Sequence, residues 1–122
     1  MNGNKEFSDN LKKRIYNFIL RLIKFTETLL KNDDVCKITR NQIIRSGTSI
    51  CANYIEAIAG CSKKDFTNFL SHSLKSANET KFWLALLRDT NKGDKKEIEH
   101  LLKELIEISN ILGSSIKTLR NK

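Results

Sequence analysis

Not one of the 122 residues is proline, and only five are glycine. Proline removes a backbone donor and clashes with the preceding helical turn, so its absence leaves long helices unbroken. The same shortage disfavours an all-β fold, whose many turns draw on Pro and Gly. What fills the chain is a helical period. Leu11, Ile15, Phe18, Leu22, Phe25 and Leu29 recur at alternating spacings of four and three, which places them along one side of a helix. Ile19, Ile23 and Leu30 widen that stripe. With Ser8 as N-cap and Asn32-Asp33-Asp34 as a stop, the pattern predicts a first helix over about 8–32.

Three further segments read the same way. The second, about 38–60, places Ile43, Ile44, Ile50, Cys51, Tyr54, Ile55 and Ile58 on one side and Gly60 at the C-terminal glycine position. The third, about 63–91, opens with Ser62-Lys63-Lys64-Asp65, a capping-box-like start. Its stripe is Phe66, Phe69, Leu70, Leu74, Ala77, Thr80, Trp83, Leu84 and Leu87, up to the break at Asn91-Lys92-Gly93. The fourth, about 94–120, has Asp94 as cap and Glu97 three residues on. Ile98, Leu101, Leu105, Ile108, Leu112, Ser115 and Leu119 form its stripe. Short connections make neighbours antiparallel, so the expected fold is all-α: an up-down-up-down antiparallel four-helix bundle, one domain over 1–122. The ends, Met1–Glu6 and Asn121–Lys122, are expected to fray. The longest apolar run, Phe82 to Leu87, is too short to cross a bilayer, and MNGNKEFSDN is no signal segment. A cytoplasmic protein without a membrane partner is the expectation.

The second helix carries an unusual polar side. Gln42, Arg45, Ser46, Ser49, Asn53 and Glu56 fall within about 100° at 3.6 residues per turn. RSGTSICAN is a poor local helix former, so something beyond propensity selects it. Small side chains let helices approach, hydroxyl and amide groups bond across the contact, and Glu79 is the evident partner for Arg45. The competing reading pairs Glu56 with Glu79 for acid–base or metal chemistry. A di-iron bundle needs repeated Glu-x-x-His elements; only Glu97-Ile98-Glu99-His100 has that spacing, once, and His72 follows Phe69. The three cysteines, Cys36, Cys51 and Cys61, make no CxxC pair and have no nearby His. Free thiols, no catalytic residue, no metal and no cofactor are therefore expected.

Lys and Arg number 22 against 14 Asp and Glu, a formal charge of +8, which biases encounters toward polyanions. Each half of the chain nets +4, so the charge is not a tail. It is densest from Leu11 to Lys31, where six basic residues face Glu27 alone. Lys12, Lys13, Arg14, Arg21 and Lys24 are the candidate phosphate contacts. Exposed aromatics for base stacking are not evident, since most Phe residues lie on core stripes.

The run Arg45-Ser46-Gly47-Thr48-Ser49-Ile50-Cys51-Ala52-Asn53-Tyr54-Ile55-Glu56-Ala57 resembles the signature helix of the bacterial 23S rRNA intervening-sequence proteins. Ser62-Lys63-Lys64-Asp65-Phe66 and Glu79-Thr80-Lys81-Phe82-Trp83-Leu84-Ala85-Leu86-Leu87 are similar to that family's third helix. The resemblance carries over Arg45, Ser49, Asn53, Glu56, Asp65, Phe66, Glu79 and Trp83 as mainly structural residues. Cys51 departs from the pattern, where glycine is common. The resemblance implies an up-down bundle and a ring-shaped homo-oligomer, typically a pentamer. A related group, the accessory proteins of diversity-generating retroelements, forms basic pentameric barrels that bind nucleic acid and a reverse transcriptase. Ile111-Leu112-Gly113-Ser114-Ser115-Ile116 is similar to their ending.

Two functions remain open on this reading. One is a non-enzymatic, homo-oligomeric bundle that binds RNA or DNA through phosphate contacts. The other is a protein-interaction scaffold or accessory subunit, for example for a polymerase or reverse transcriptase, without direct nucleic-acid binding.

Overall fold

A computed structural model describes residues 2–60 and 62–121. Four helices follow in order: α1 (Asn2–Thr26), α2 (Asp34–Ala59), α3 (Lys63–Asp89) and α4 (Lys95–Arg120). Among the described residues there is no strand. Each helix packs on two neighbours, α2 on α3 most extensively and α1 on α4 least, and the backbones of the diagonal pairs stay apart. That is the contact pattern of a square antiparallel bundle. Its centre is aliphatic: Ile15, Leu22, Ile43, Ile50, Leu70, Leu84, Leu101, Leu105 and Ile108 are fully buried.

The first helix departs from expectation at both ends. Asn2–Glu6 are helical and Ser8 lies inside α1 rather than capping it; the Ser8 carbonyl instead accepts the Tyr54 hydroxyl at 3.2 Å. The helix stops at Thr26, not at Asn32, because Arg40 of α2 supplies the donors its last turns lack. The guanidinium donates to the carbonyls of Thr26, Leu29 and Leu30 at 3.2, 3.1 and 3.2 Å, groups that a helix end leaves unpartnered. Beyond that point helical spacing no longer applies, and Leu30 is exposed rather than part of the stripe. Asp34, expected in a stop, begins α2.

Ile44 and Ile55 also lie outside the core. The apolar arc of α2 is wider than the sector its two neighbours cover, and both isoleucines sit at its outer margin. Gly60 caps α2 with φ −65° and ψ 148°, an extended geometry open to any residue. At the α3 start, Ser62 Oγ accepts the Asp65 amide at 3.0 Å, as the capping pattern predicts. Asp94 occupies the N-cap of α4 without a side-chain cap bond. The α3–α4 turn uses left-handed backbone at Asn91 (φ 58°) and Gly93 (φ 78°). Gly93 is doubly required, since a Cβ there would also meet Leu29 and Phe25 side chains at 3.0 Å.

Candidate functional site

The polar side of α2 faces α3 as a ladder of small groups. The Ser46 and Thr80 hydroxyls bond each other at 2.8 Å, and Thr80 also reaches the Ser76 carbonyl at 2.8 Å. Ser76 bonds Ser49 at 3.0 Å, and the buried Ser73 donates to the Ile50 carbonyl at 2.7 Å. Asn53 braces the ladder within α2, its amide donating to the Ser49 carbonyl and hydroxyl, both at 2.9 Å. Buried hydroxyls that all find partners cost little and permit close helix approach. On the α1 side, Gly47 does the same: a Cβ there would stand 2.5 Å from Leu22 Cδ2.

Arg45 pairs with Glu79 across this seam and donates to Gln42 Oε1 at 3.0 Å and 2.9 Å. Glu79 also accepts the Trp83 indole N–H at 3.1 Å, so the carboxylate is held by two neighbours. Glu56 is exposed, further along α2. The pairings of Ser46 with Thr80 and Ser49 with Ser76 place position 56 opposite about residue 69. That lies roughly 15 Å along α3 from Glu79 at 1.5 Å per residue. The structure therefore does not bring the two carboxylates together. Phe66 is half-buried against the core and Asp65 is exposed at the α3 start.

The cationic residues of α1 divide into two groups. Arg14 binds Glu104 of α4 through both Nε and Nη2 at 2.8 Å, with Glu107 at 3.3 Å. Arg21 grips Glu97 in the same two-pronged way, at 2.7 and 2.9 Å. Two candidate phosphate contacts are thus ion-paired within the chain, and Glu97 of the lone Glu-x-x-His spacing is held by Arg21. Hydrogen bonding from the arginines holds Glu97 and Glu104 below the usual carboxylate range. Lys12, Lys13 and Lys24 are exposed and make no ion pair among the described residues. With Tyr16 and Leu20, both also exposed, they share an outward arc of about 120°. Tyr16, Phe7 and Phe82 are each more than half exposed, which corrects the expectation that no aromatic is available for stacking.

A carboxylate with a depressed folded-state pKa stabilises above its ordinary value, about 4.3 for Glu. That stability is lost as pH falls through the folded value. Glu104→Gln is expected to lower stability at pH 7 by about 0.5–1 kcal/mol, as for a well-formed, partly exposed pair. The gap between variant and wild type in urea melts should close as pH is lowered toward 3. A gap that stays constant with pH would show the pair to be ineffective.

Burial pushes the Cys36 and Cys51 thiols up, away from the reactive thiolate; Cys61 lies outside the described residues. Among those residues no group of three His, Cys, Asp or Glu could hold a metal ion. No helix of the described residues is long and apolar enough to cross a membrane.

The comparison with known proteins agrees with this architecture. The family model described as 23S rRNA-intervening sequence protein matches residues 9–114. A solved structure from Bacteroides thetaiotaomicron VPI-5482, described as a protein with unknown function from the S23 ribosomal protein family, superposes with a TM-score of 0.82. It is 36% identical and covers 90% of this chain and 97% of its own. No curated protein matches. The fold, the α2–α3 seam and the matched span together place this chain in the 23S rRNA-intervening sequence protein family.

Proposed function

We propose that this protein is a non-enzymatic, homo-oligomeric helical bundle of the cytoplasm that binds RNA or DNA through a basic surface. One observation carries the reading: Lys12, Lys13 and Lys24 stand exposed on the outer arc of α1, around Tyr16, with no ion pair among the described residues. Lysines so placed exchange condensed counterions for phosphates, and an exposed ring offers a stacking platform without sequence readout. Arg14 and Arg21, tied to α4, border the surface and hold α1 in place. Assembly multiplies the effect. In the five-chain ring that family resemblance implies, chains of +8 pool about +40, which raises the affinity for polyanions. Arg45, Ser49, Asn53 and Glu79 of the seam, and Glu56 outside it, serve structure in this reading.

Titration of labelled single-stranded RNA and duplex DNA between about 50 and 200 mM salt tests it. The expected result is binding to both, with log affinity falling linearly as log salt rises. Both probes remaining free at micromolar protein in low salt would overturn the reading and leave the protein-interaction scaffold in its place.

A further inference from the structure

The outer face of α2 has no neighbour in the bundle, and its composition differs from the rest of the surface. From Asn41 to Ala59 it carries one cation, Arg45, and one anion, Glu56, in a chain of net +8. Asn41, Ile44, Thr48, Ala52, Ile55 and Ala59 are all exposed along it. At about 100° per residue they form one stripe, with Thr48 and Ala52 near its middle. Ile44 and Ile55 lie on the flank toward α1, Arg45 and Glu56 on the flank toward α3.

This face is self-complementary about residue 50. A two-fold axis perpendicular to α2 brings Asn41 opposite Ala59 and Thr48 opposite Ala52 of a second copy. To within one residue, or about 1.5 Å along the helix, it brings Ile44 opposite Ile55 and Arg45 opposite Glu56. Such an axis also keeps each flank on its own side, so apolar meets apolar and charge meets opposite charge. Small residues at the crossing allow close approach. Arg45, although bonded to Glu79 and Gln42, keeps 57% of its side chain exposed, and Glu56 lies exposed on the same flank. Two chains of like charge approach most easily where each is locally neutral.

We propose that α2 packs antiparallel against α2 of a second copy, crossing at Thr48 and Ala52, with Arg45 of each chain facing Glu56 of the other. The inference rests on the homo-oligomeric part of the proposed function and names one contact within it. Where chains also close into a ring, this contact joins two rings back to back.

Light-scattering mass of the wild type, Ala52→Arg and Glu56→Arg tests it, with circular dichroism confirming unchanged helicity. Both substitutions are expected to halve the particle mass. In a Cys61→Ser background, Thr48→Cys mixed with Ala52→Cys is expected to form a disulfide-linked species of twice the 14.0 kDa chain mass under mild oxidation. Either variant alone should link far less. A monomeric wild type would overturn both this contact and the oligomeric reading. An oligomer whose mass neither substitution changes would overturn the contact alone. So would a particle of five chains that falls directly to single chains, because that loss belongs to a ring interface.

Discussion

Changing Lys12, Lys13 and Lys24 together to Glu should lower affinity at 0.1 M salt by about 500-fold for duplex DNA and by about 100-fold for single-stranded RNA. Each phosphate contact to duplex DNA adds about 0.9 to the slope of log affinity against log salt. Relative to 1 M salt, three lost contacts are therefore worth about 2.7 decades. The slope itself should shrink by about 2.7 on duplex, and by about 2 on a single strand. Reversal of three charges also weakens the field of the whole chain. Lys95, Lys96 and Lys103 of α4, exposed on another helix, make the matched control with the same change in net charge. That control should lose less than about tenfold. Equal losses in the two triple variants would mean that binding follows overall charge and not this face of α1. Arg14→Gln and Arg21→Gln form a third arm. Their guanidiniums are already clasped by Glu104 and Glu97, so the expected loss is in stability more than in affinity.

That division among the basic residues of α1 was not legible in the sequence, and the reason is distance along the chain. Lys12, Lys13, Arg14, Arg21 and Lys24 share one basic run, but the partners of Arg14 and Arg21 lie 90 and 76 positions away. Only the meeting of α1 with α4 shows them. The end of α1 was hidden for a related reason: Arg40 terminates it from 10 to 14 residues downstream, where no capping pattern looks. Local chemistry was readable where the backbone itself demands it. Ser62 caps α3 within four residues, and Asn91 and Gly93 make a turn that needs positive φ. The Arg45–Glu79 pair was readable because each is conspicuous against a run of small or apolar neighbours. Ile44 and Ile55 misled because a stripe that continues past the core arc looks, on a wheel, like a wider core.

Ser46→Leu is expected to destabilise the bundle by about 3 kcal/mol, lowering the melting temperature by roughly 10 °C for a chain of this size. Ser46 is fully buried at the meeting of α2 and α3, with its hydroxyl on Thr80 at 2.8 Å. A leucine there cannot find room without parting the two helices that pack most closely, and it leaves Thr80 facing hydrocarbon. Ser46→Ala separates volume from hydrogen bonding. It removes one neutral bond while Thr80 keeps the Ser76 carbonyl, so its cost should be about 1 kcal/mol. A large gap between the two variants in chemical denaturation identifies close approach as the reason for the serines. If leucine and alanine cost the same, the helices have slack at this level, and the small residues of α2 need another explanation. The same seam holds Arg45 and Glu79 in register, so a parted α2–α3 contact should also release the Trp83 indole from Glu79. A red shift of tryptophan emission in Ser46→Leu, absent in Ser46→Ala, would register that release independently of the melting curve.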